Sequence, residues 1–329
     1  LKRVLSGIQP SGRLHIGNYY GAMRQYLQLQ GEGHECYYFI ANYHAMTSVQ
    51  DAEALQEYTQ EVARGYLAVG IDPNTSIFFR QSDVPEVCEL MWILSCVTPM
   101  GLLQRCHSYK EKIDQGLAPN HGLFCYPVLQ AADILIYSSH IVPVGQDQKQ
   151  HLEVTRDIAI KFNNIYGEIL TIPDAYILET AAVVPGVDGR KMSKSYNNTL
   201  ELFESAKQTE KKIKRMVTDS TPVEEAKDPD TCAVFALLSL AASEDEAKQW
   251  EQRYRQGGMG YGEAKKRLAE LTNELLAPFR QRYEELGGDN DYVEDVLREG
   301  GRKARATAQE LMDKVRSATG ITSTAKGRS

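Results

Sequence analysis

Apolar and polar positions follow two regimes along this chain of 329 residues. Up to about residue 200, short runs rich in β-branched and aromatic side chains alternate with helical patterns. Val4–Ile8 reads as a strand ending in the turn sequence Gln9-Pro10-Ser11-Gly12-Arg13. Tyr37–Ala41, Ile77–Phe79 and Ile141–Val144 read the same way, the last running into Gly145. Ala52–Val69 has helical spacing and stops at Gly70, a C-cap, with Asp72-Pro73 beyond it. Strands alternating with helices predict an α/β fold, a parallel sheet wrapped by helices.

Beyond Asn198 the strand-like runs cease. Phe203–Val217, Ala233–Ala241, Glu244–Tyr254, Gly262–Leu286 and Tyr292–Arg316 all read as helices. This shift places a boundary near residues 190–200. It divides the chain into a segment 1–200 and an all-helical segment 201–329, and leaves open whether the last helix packs back on the first segment. Thr322–Ser329 is small and polar and is expected to fray.

Composition adds exclusions. Hydrophobic residues make up 42% and charged residues 25%, ordinary for a soluble globular protein. No apolar run reaches the length of a membrane span, and Leu1–Leu5 leads into Gly, Pro and Ser, so neither a membrane anchor nor a signal or transit peptide is expected. The cysteines at 36, 88, 96, 106, 125 and 232 contain no CxxC pair and read as reduced thiols of a cytoplasmic protein. A net charge of −7 argues against a generally basic nucleic-acid coat and leaves room for a local basic patch. There is no Gly-Lys dipeptide and no GxGxxG, so a P-loop kinase and a nicotinamide dehydrogenase are poorly supported.

Four segments carry candidate chemistry. Gln9–Asn18 joins a strand to a helix start, the place where doubly wound sheets bind ligands, although an ordinary turn has the same composition. His15 alone reads equally as a surface or capping histidine. Lys191-Met192-Ser193-Lys194-Ser195, preceded by Gly186 and Gly189, makes a flexible cationic loop suited to a polyphosphate whose leaving group gains charge. A solvated basic loop is the plain alternative. Tyr126–Tyr137 sets Asp133 in an apolar helical run with Gln130 three residues earlier on the same face. A buried carboxylate needs a partner, which a salt bridge, a helix end or a ligand could supply. Val142–Glu153 is a strand end followed by a polar helix start, with Asp147 a candidate cap.

Together these segments resemble the class I aminoacyl-tRNA synthetases, and among them the bacterial-type tryptophanyl-tRNA synthetase family. His15-Ile16-Gly17-Asn18 resembles the HIGH signature, with Asn18 in its last place. Lys191–Ser195 is an intact KMSKS. Tyr126–Asp133, Val142–Gln148 and Tyr43-His44-Ala45-Met46-Thr47 resemble the segments that mark the tryptophan enzymes. Gln146 stands where the family usually has Glu. Gln130 stands where most bacterial tryptophan enzymes have Met, and its pairing with Asp133 is reminiscent of the sister tyrosyl-tRNA synthetases. The resemblance spans essentially the whole chain and implies a Rossmann-like doubly wound catalytic domain followed by a helical anticodon-binding domain.

The resemblance further implies ATP-dependent activation of tryptophan and its transfer to tRNA(Trp). ATP would lie over Gln9, Pro10, Ser11, Gly17, Asn18, Gly145, Gln146, Asp147, Val183 and the loop Lys191, Met192, Ser193, Lys194 and Ser195. Lys191, Lys194 and Lys110 would stabilise charge on the phosphates, with His15 near them. Mg²⁺ would ride on the triphosphate, without a protein metal site. Asp133 would accept the indole N–H, an atom that can only donate. Gln130, His44, Gln148 and Gly7 would complete the amino-acid pocket. Lys207, Lys211, Lys212, Lys214 and Arg215, and Arg302, Lys303 and Arg305, are candidate tRNA phosphate contacts, although such runs are usually solvated faces. A homodimer is implied, with no DNA or membrane partner. Some relatives hold an iron–sulfur cluster; Cys232 alone lies in the helical segment, so none is expected here. Tyrosine as substrate, or an idle RNA-binding paralogue, are the alternatives.

Overall fold

The computed structural model describes residues 1–106, 109, 120–144, 149–177 and 184–322. Five parallel strands form its sheet: β1 (Arg3–Ile8), β2 (Glu35–Ile40), β3 (Ser76–Arg80), β4 (Ile141–Val144) and β5 (Asp174–Ile177), in the spatial order β3-β2-β1-β4-β5. β1 is central and pairs with β2 from Arg3↔Glu35 to Ile8↔Ile40. The chain winds outward from β1 in one direction and then restarts at β4 in the other. This reversal opens a crevice at the carboxyl ends of β1 and β4, where doubly wound sheets bind ligands.

Strand alternation sorts the core into two layers. Val4, Cys36, Tyr38, Ile40 and Phe78 belong to one apolar cluster, and Leu5, Tyr37, Phe39 and Phe79 to the other. The helices that position the site are α1 (Ile16–Asn18), α2 (Arg24–Gly31), α3 (Asn42–Ala45), α4 (Ala52–Val69), α5 (Glu86–Ser95), α6 (Met100–Leu103), α7 (His121–Ile136) and α8 (Lys149–Tyr166). α4 begins where the Asp51 carboxylate accepts from Ala54 N–H at 2.8 Å and ends at Gly70, whose φ of 121° suits glycine.

The C-terminal part is helical: α9 (Ala206–Lys214), α10 (Ala233–Ala241), α11 (Glu244–Gln256), α12 (Tyr261–Gly287) and α13 (Asn290–Thr319). α9 is shorter than the predicted Phe203–Val217 because Ser205 and Gln208 form a capping box that starts the helix at Ala206. Side chains of α10–α12, such as Leu237, Trp250 and Leu268, enter the first cluster, whereas Ala304, Ala308 and Leu311 of α13 enter the second. α13 therefore crosses the edge of the sheet at β3. Gly300 is essential there: a Cβ at this position would stand 1.8 Å from the carbonyl oxygen of Phe78. Arg80–Glu294 at 2.7 Å and Arg316–Glu89 at 2.6 Å clamp the crossing. No helix among the described residues is long and apolar enough to cross a membrane.

Candidate active site

The loop after β1 and the KMSKS segment meet at the head of the crevice. Ile16 N–H donates to Leu200 C=O at 2.9 Å, and Leu202 N–H to Leu14 C=O at 3.0 Å, so Leu200–Leu202 lies antiparallel to Leu14–Ile16. An Arg13–Glu201 ion pair at 3.3 Å reinforces the join. The Asn18 side-chain oxygen accepts from His15 N–H at 3.0 Å, tying the HIGN start to its own first turn. A Cβ on Gly17 would stand 2.8 Å from His15 Nδ1 and 3.4 Å from Met192 Sδ, so glycine here lets the imidazole and the buried Met192 lie against backbone.

His15 is buried, and its Nδ1 has no hydrogen-bond partner among the described residues. Burial first, and then the Lys194 charge, push its imidazole down to about 4. At neutral pH it is a neutral ring beside a cation. Lys194 Nζ donates to Gly12 C=O at 3.0 Å and to Ser11 Oγ at 3.4 Å. Its ammonium is lowered by burial, against the pull of Glu61 and Glu201. Lys191, Ser195 and Gln9 are exposed, Ser193 is half-buried, and Pro10 is buried.

One residue that no sequence motif singles out organises the cationic loop. Asn198 is 1% exposed, and its side-chain oxygen accepts from Ser193 N–H at 2.8 Å. Its amide nitrogen donates to Asp188 Oδ1 at 2.7 Å and to Lys191 C=O at 3.1 Å. The loop is thus pinned across its base. The signal in the sequence is faint, a polar residue three places after the motif.

Asp133 lies on the inner face of α7, 2% exposed, behind an apolar cavity of about 290 Å³ lined by Tyr43, His44, Met91, Tyr126 and Leu129 among others. His44 Nε2 is 2.8 Å from Asp133 Oδ2. The amide that meets this carboxylate is Gln81, with Nε2 at 2.8 and 2.9 Å from the two oxygens, rather than Gln130, which is half-buried one turn earlier. Burial pushes the Asp133 carboxyl up, while the hydrogen bonds from His44 and Gln81 pull it back. Gly7, near the end of β1, pairs in register with Phe39, whose ring occupies the place of a side chain: a Cβ on Gly7 would stand 2.5 Å from it. A larger cavity of about 550 Å³ lies between Asp83 and α13, and none of the motif residues lines it.

Lys110, Gly145, Gln146, Asp147, Gln148 and Val183 lie outside the described residues. Of the candidate tRNA contacts, Lys212 pairs with Glu204 at 2.6 Å, Lys214 with Glu210 at 2.6 Å, Arg302 with Glu299 at 2.8 Å and Arg305 with Glu86 at 2.8 Å, while Lys207, Lys211 and Arg215 are exposed. Cys232 contacts the Tyr254 hydroxyl at 3.8 Å.

A buried carboxylate behind an apolar cavity, and two signature loops meeting at a switch point, suit binding of an aromatic amino acid beside a nucleotide. Residues 2–277 match the family described as tRNA synthetases class I (W and Y). The chain belongs to this family. It is 52% identical over 319 residues to the tryptophan–tRNA ligase of Rhodopirellula baltica, covering 97% of this chain and 99% of that one. The crystal structure of tryptophanyl-tRNA synthetase from Campylobacter jejuni, complexed with ADP and tryptophan, is 51% identical and superposes with a TM-score of 0.88 over 97% of this chain and 99% of that one. The Mycoplasma pneumoniae tryptophanyl-tRNA synthetase, at 29% identity and 98% coverage of both chains, gives a TM-score of 0.83. The expected fold, a doubly wound parallel sheet followed by a helical region, is the one observed.

Proposed function

We propose that this chain activates L-tryptophan with ATP, releasing pyrophosphate, and transfers the tryptophanyl group to the 3′ end of tRNA(Trp). The observation that carries the reading is the docking of Lys194 on the Gly12 carbonyl, which brings the two signature segments of the family together at the sheet's switch point. Near-full-length identity of about half to tryptophan–tRNA ligases supports the choice of amino acid.

In this reaction a tryptophan carboxylate oxygen attacks the α-phosphorus of ATP in line. The new O–P bond forms as the bond to the bridging oxygen breaks, and pyrophosphate carries away the electron pair. No protein nucleophile is required, so rate comes from positioning and from charge stabilisation on the phosphates. Gln9, Pro10, Ser11, Gly17 and Asn18 form the nucleotide cradle, with Gly145, Gln146, Asp147 and Val183 completing it. Lys191, Met192, Ser193, Lys194 and Ser195 cover the phosphates, and Lys110 joins Lys191 and Lys194 in neutralising them. Mg²⁺ enters as part of the ATP substrate. Asp133 accepts the indole N–H, while His44, Gln130, Gln148 and Gly7 shape the pocket. A site that bonds this N–H rejects analogues lacking it, which removes the need for editing.

The adenylate then reacts with the 2′-hydroxyl of the terminal tRNA adenosine, displacing AMP. We assign anticodon contacts to the helical segment 201–329, a catalytic role to 1–200, a homodimer as the working form and the cytoplasm as the location. Charging of a tRNA(Trp) transcript with labelled tryptophan tests the reading. The expected result is Mg·ATP-dependent incorporation; tRNA binding without incorporation contradicts it and favours an idle RNA-binding paralogue.

A further inference from the structure

The Asp133 carboxylate sits inside a closed ring of hydrogen bonds. His44 Nε2 approaches Oδ2 at 2.8 Å. Gln81 Nε2 stands 2.8 Å from Oδ1 and 2.9 Å from Oδ2, on a side chain that is 0% exposed. At its other end, the Gln81 amide oxygen accepts from the backbone N–H of Tyr43 at 3.0 Å and, more weakly, of His44 at 3.4 Å. His44 is therefore held twice, through its backbone by Gln81 and through its ring by Asp133.

The chemistry of the donors fixes every orientation in this ring. A backbone N–H can only donate, so the Gln81 oxygen must face Tyr43 and His44. Its NH₂ group must then face the carboxylate. A flipped amide would set oxygen against carboxylate and N–H against N–H. By the same reasoning, the His44 Nε2 that meets Asp133 carries the proton. Two further bonds steady the turn that bears Gln81: Asn42 Nδ2 donates to Ser82 Oγ at 2.8 Å, and Ser82 N–H donates to Asn42 Oδ1 at 3.1 Å.

A carboxylate offers about four acceptor positions. Oδ2 takes His44 and Gln81, whereas Oδ1 takes Gln81 alone. Among the described residues, one position therefore remains, on Oδ1. Without Gln81, the bond from His44 alone among the described residues would hold the group, and the terminal torsion of aspartate is broad and roughly two-fold.

We propose that Gln81 is the positioning residue of the amino-acid site: it turns Asp133 so that Oδ1 keeps one open acceptor position, and so sets the discrimination between side chains with and without a ring N–H. The inference rests on the reading of Asp133 as the indole N–H acceptor. Gln81 acts through Asp133 and touches no substrate atom in this role.

The test compares tryptophan with benzothienylalanine, which carries sulfur where indole has N–H. The kcat/KM ratio of the two is measured by ATP–pyrophosphate exchange for the wild type, Gln81→Met and Asp133→Asn. Loss of one oriented bond to a charged group predicts that Gln81→Met lowers the ratio by about tenfold or more, through tryptophan alone, with the KM for ATP unchanged. A purely structural role would lower both amino acids together and leave the ratio intact. An unchanged ratio in Gln81→Met, with a collapsed ratio in Asp133→Asn, overturns the proposal and leaves the role of Asp133 standing. An unchanged ratio in Asp133→Asn overturns both. Gln81→Ala carries the same prediction and serves where the Met variant does not fold.

Discussion

The ammonium of Lys194 donates to the carbonyl oxygen of Gly12 at 3.0 Å, joining two segments more than 180 residues apart in the chain. Bound this way, the cation is held by neutral oxygens of the first loop, at the place where triphosphate is expected to lie.

Lys194→Ala should therefore slow adenylate formation by about a hundredfold or more, on the order of 3 kcal/mol of transition-state stabilisation. Tryptophan binding, measured at equilibrium, should change little, because Asp133 and its cavity belong to other elements. An unaltered single-turnover rate would remove Lys194 from the reaction.

Asn198 should govern ATP and leave tryptophan alone. Asn198→Ala strips acceptor and donors from the base of the loop and should raise the KM for ATP about tenfold. Asn198→Asp retains the acceptor for Ser193 N–H but sets a second carboxylate against Asp188, and should do no better. Equal rises in both KM values would show a general loss of fold instead.

The pH dependence of stability should carry a signature of His15. Its imidazole is pushed down to about 4 in the fold, chiefly by burial, against an ordinary value near 6.5. As pH falls from 6.5 toward 4, the unfolded chain binds a proton that the folded chain does not. Stability present above pH 6.5 is thus lost across that window, by at most about 3 kcal/mol. Urea unfolding at several pH values should show a shallower decline for His15→Asn; parallel curves would contradict this.

Gly300→Ala should destabilise the protein by about 3 kcal/mol or more, since the new methyl meets the Phe78 backbone, which cannot yield as a side chain can. Gly262→Ala is the control. It lies in α12, where a methyl would meet no heavy atom within 4 Å beyond its own turn of helix, and should gain up to about 1 kcal/mol. Urea denaturation of both variants reads the difference.

Much of this architecture is legible in the sequence because burial on both faces makes parallel strands read as continuous apolar runs. Ile141–Val144 stands out for that reason, Val4–Ile8 for its apolar start and the turn sequence that follows it, and Ala52–Val69 for its spacing and its glycine stop. β5 does not stand out: it is four residues long, begins with Asp174, and lies at the sheet edge, where the apolar signal is weakest. Gly300-Gly301 reads locally as a weakness in a helix, and only the crossing over β3 explains it. At the site, His15, Asp133 and Lys194 are visible through their motifs. Gln81 and Asn198 are ordinary polar residues after a strand and a loop. Their importance comes from burial and from partners distant in sequence, which no local pattern encodes.

The decisive measurement is amino-acid-dependent ATP–pyrophosphate exchange, run with each standard amino acid in turn. Tryptophan alone should drive rapid exchange, and Asp133→Asn should suppress it. Exchange driven by tyrosine and not by tryptophan would contradict the assignment of the substrate and of Asp133 as its indole acceptor.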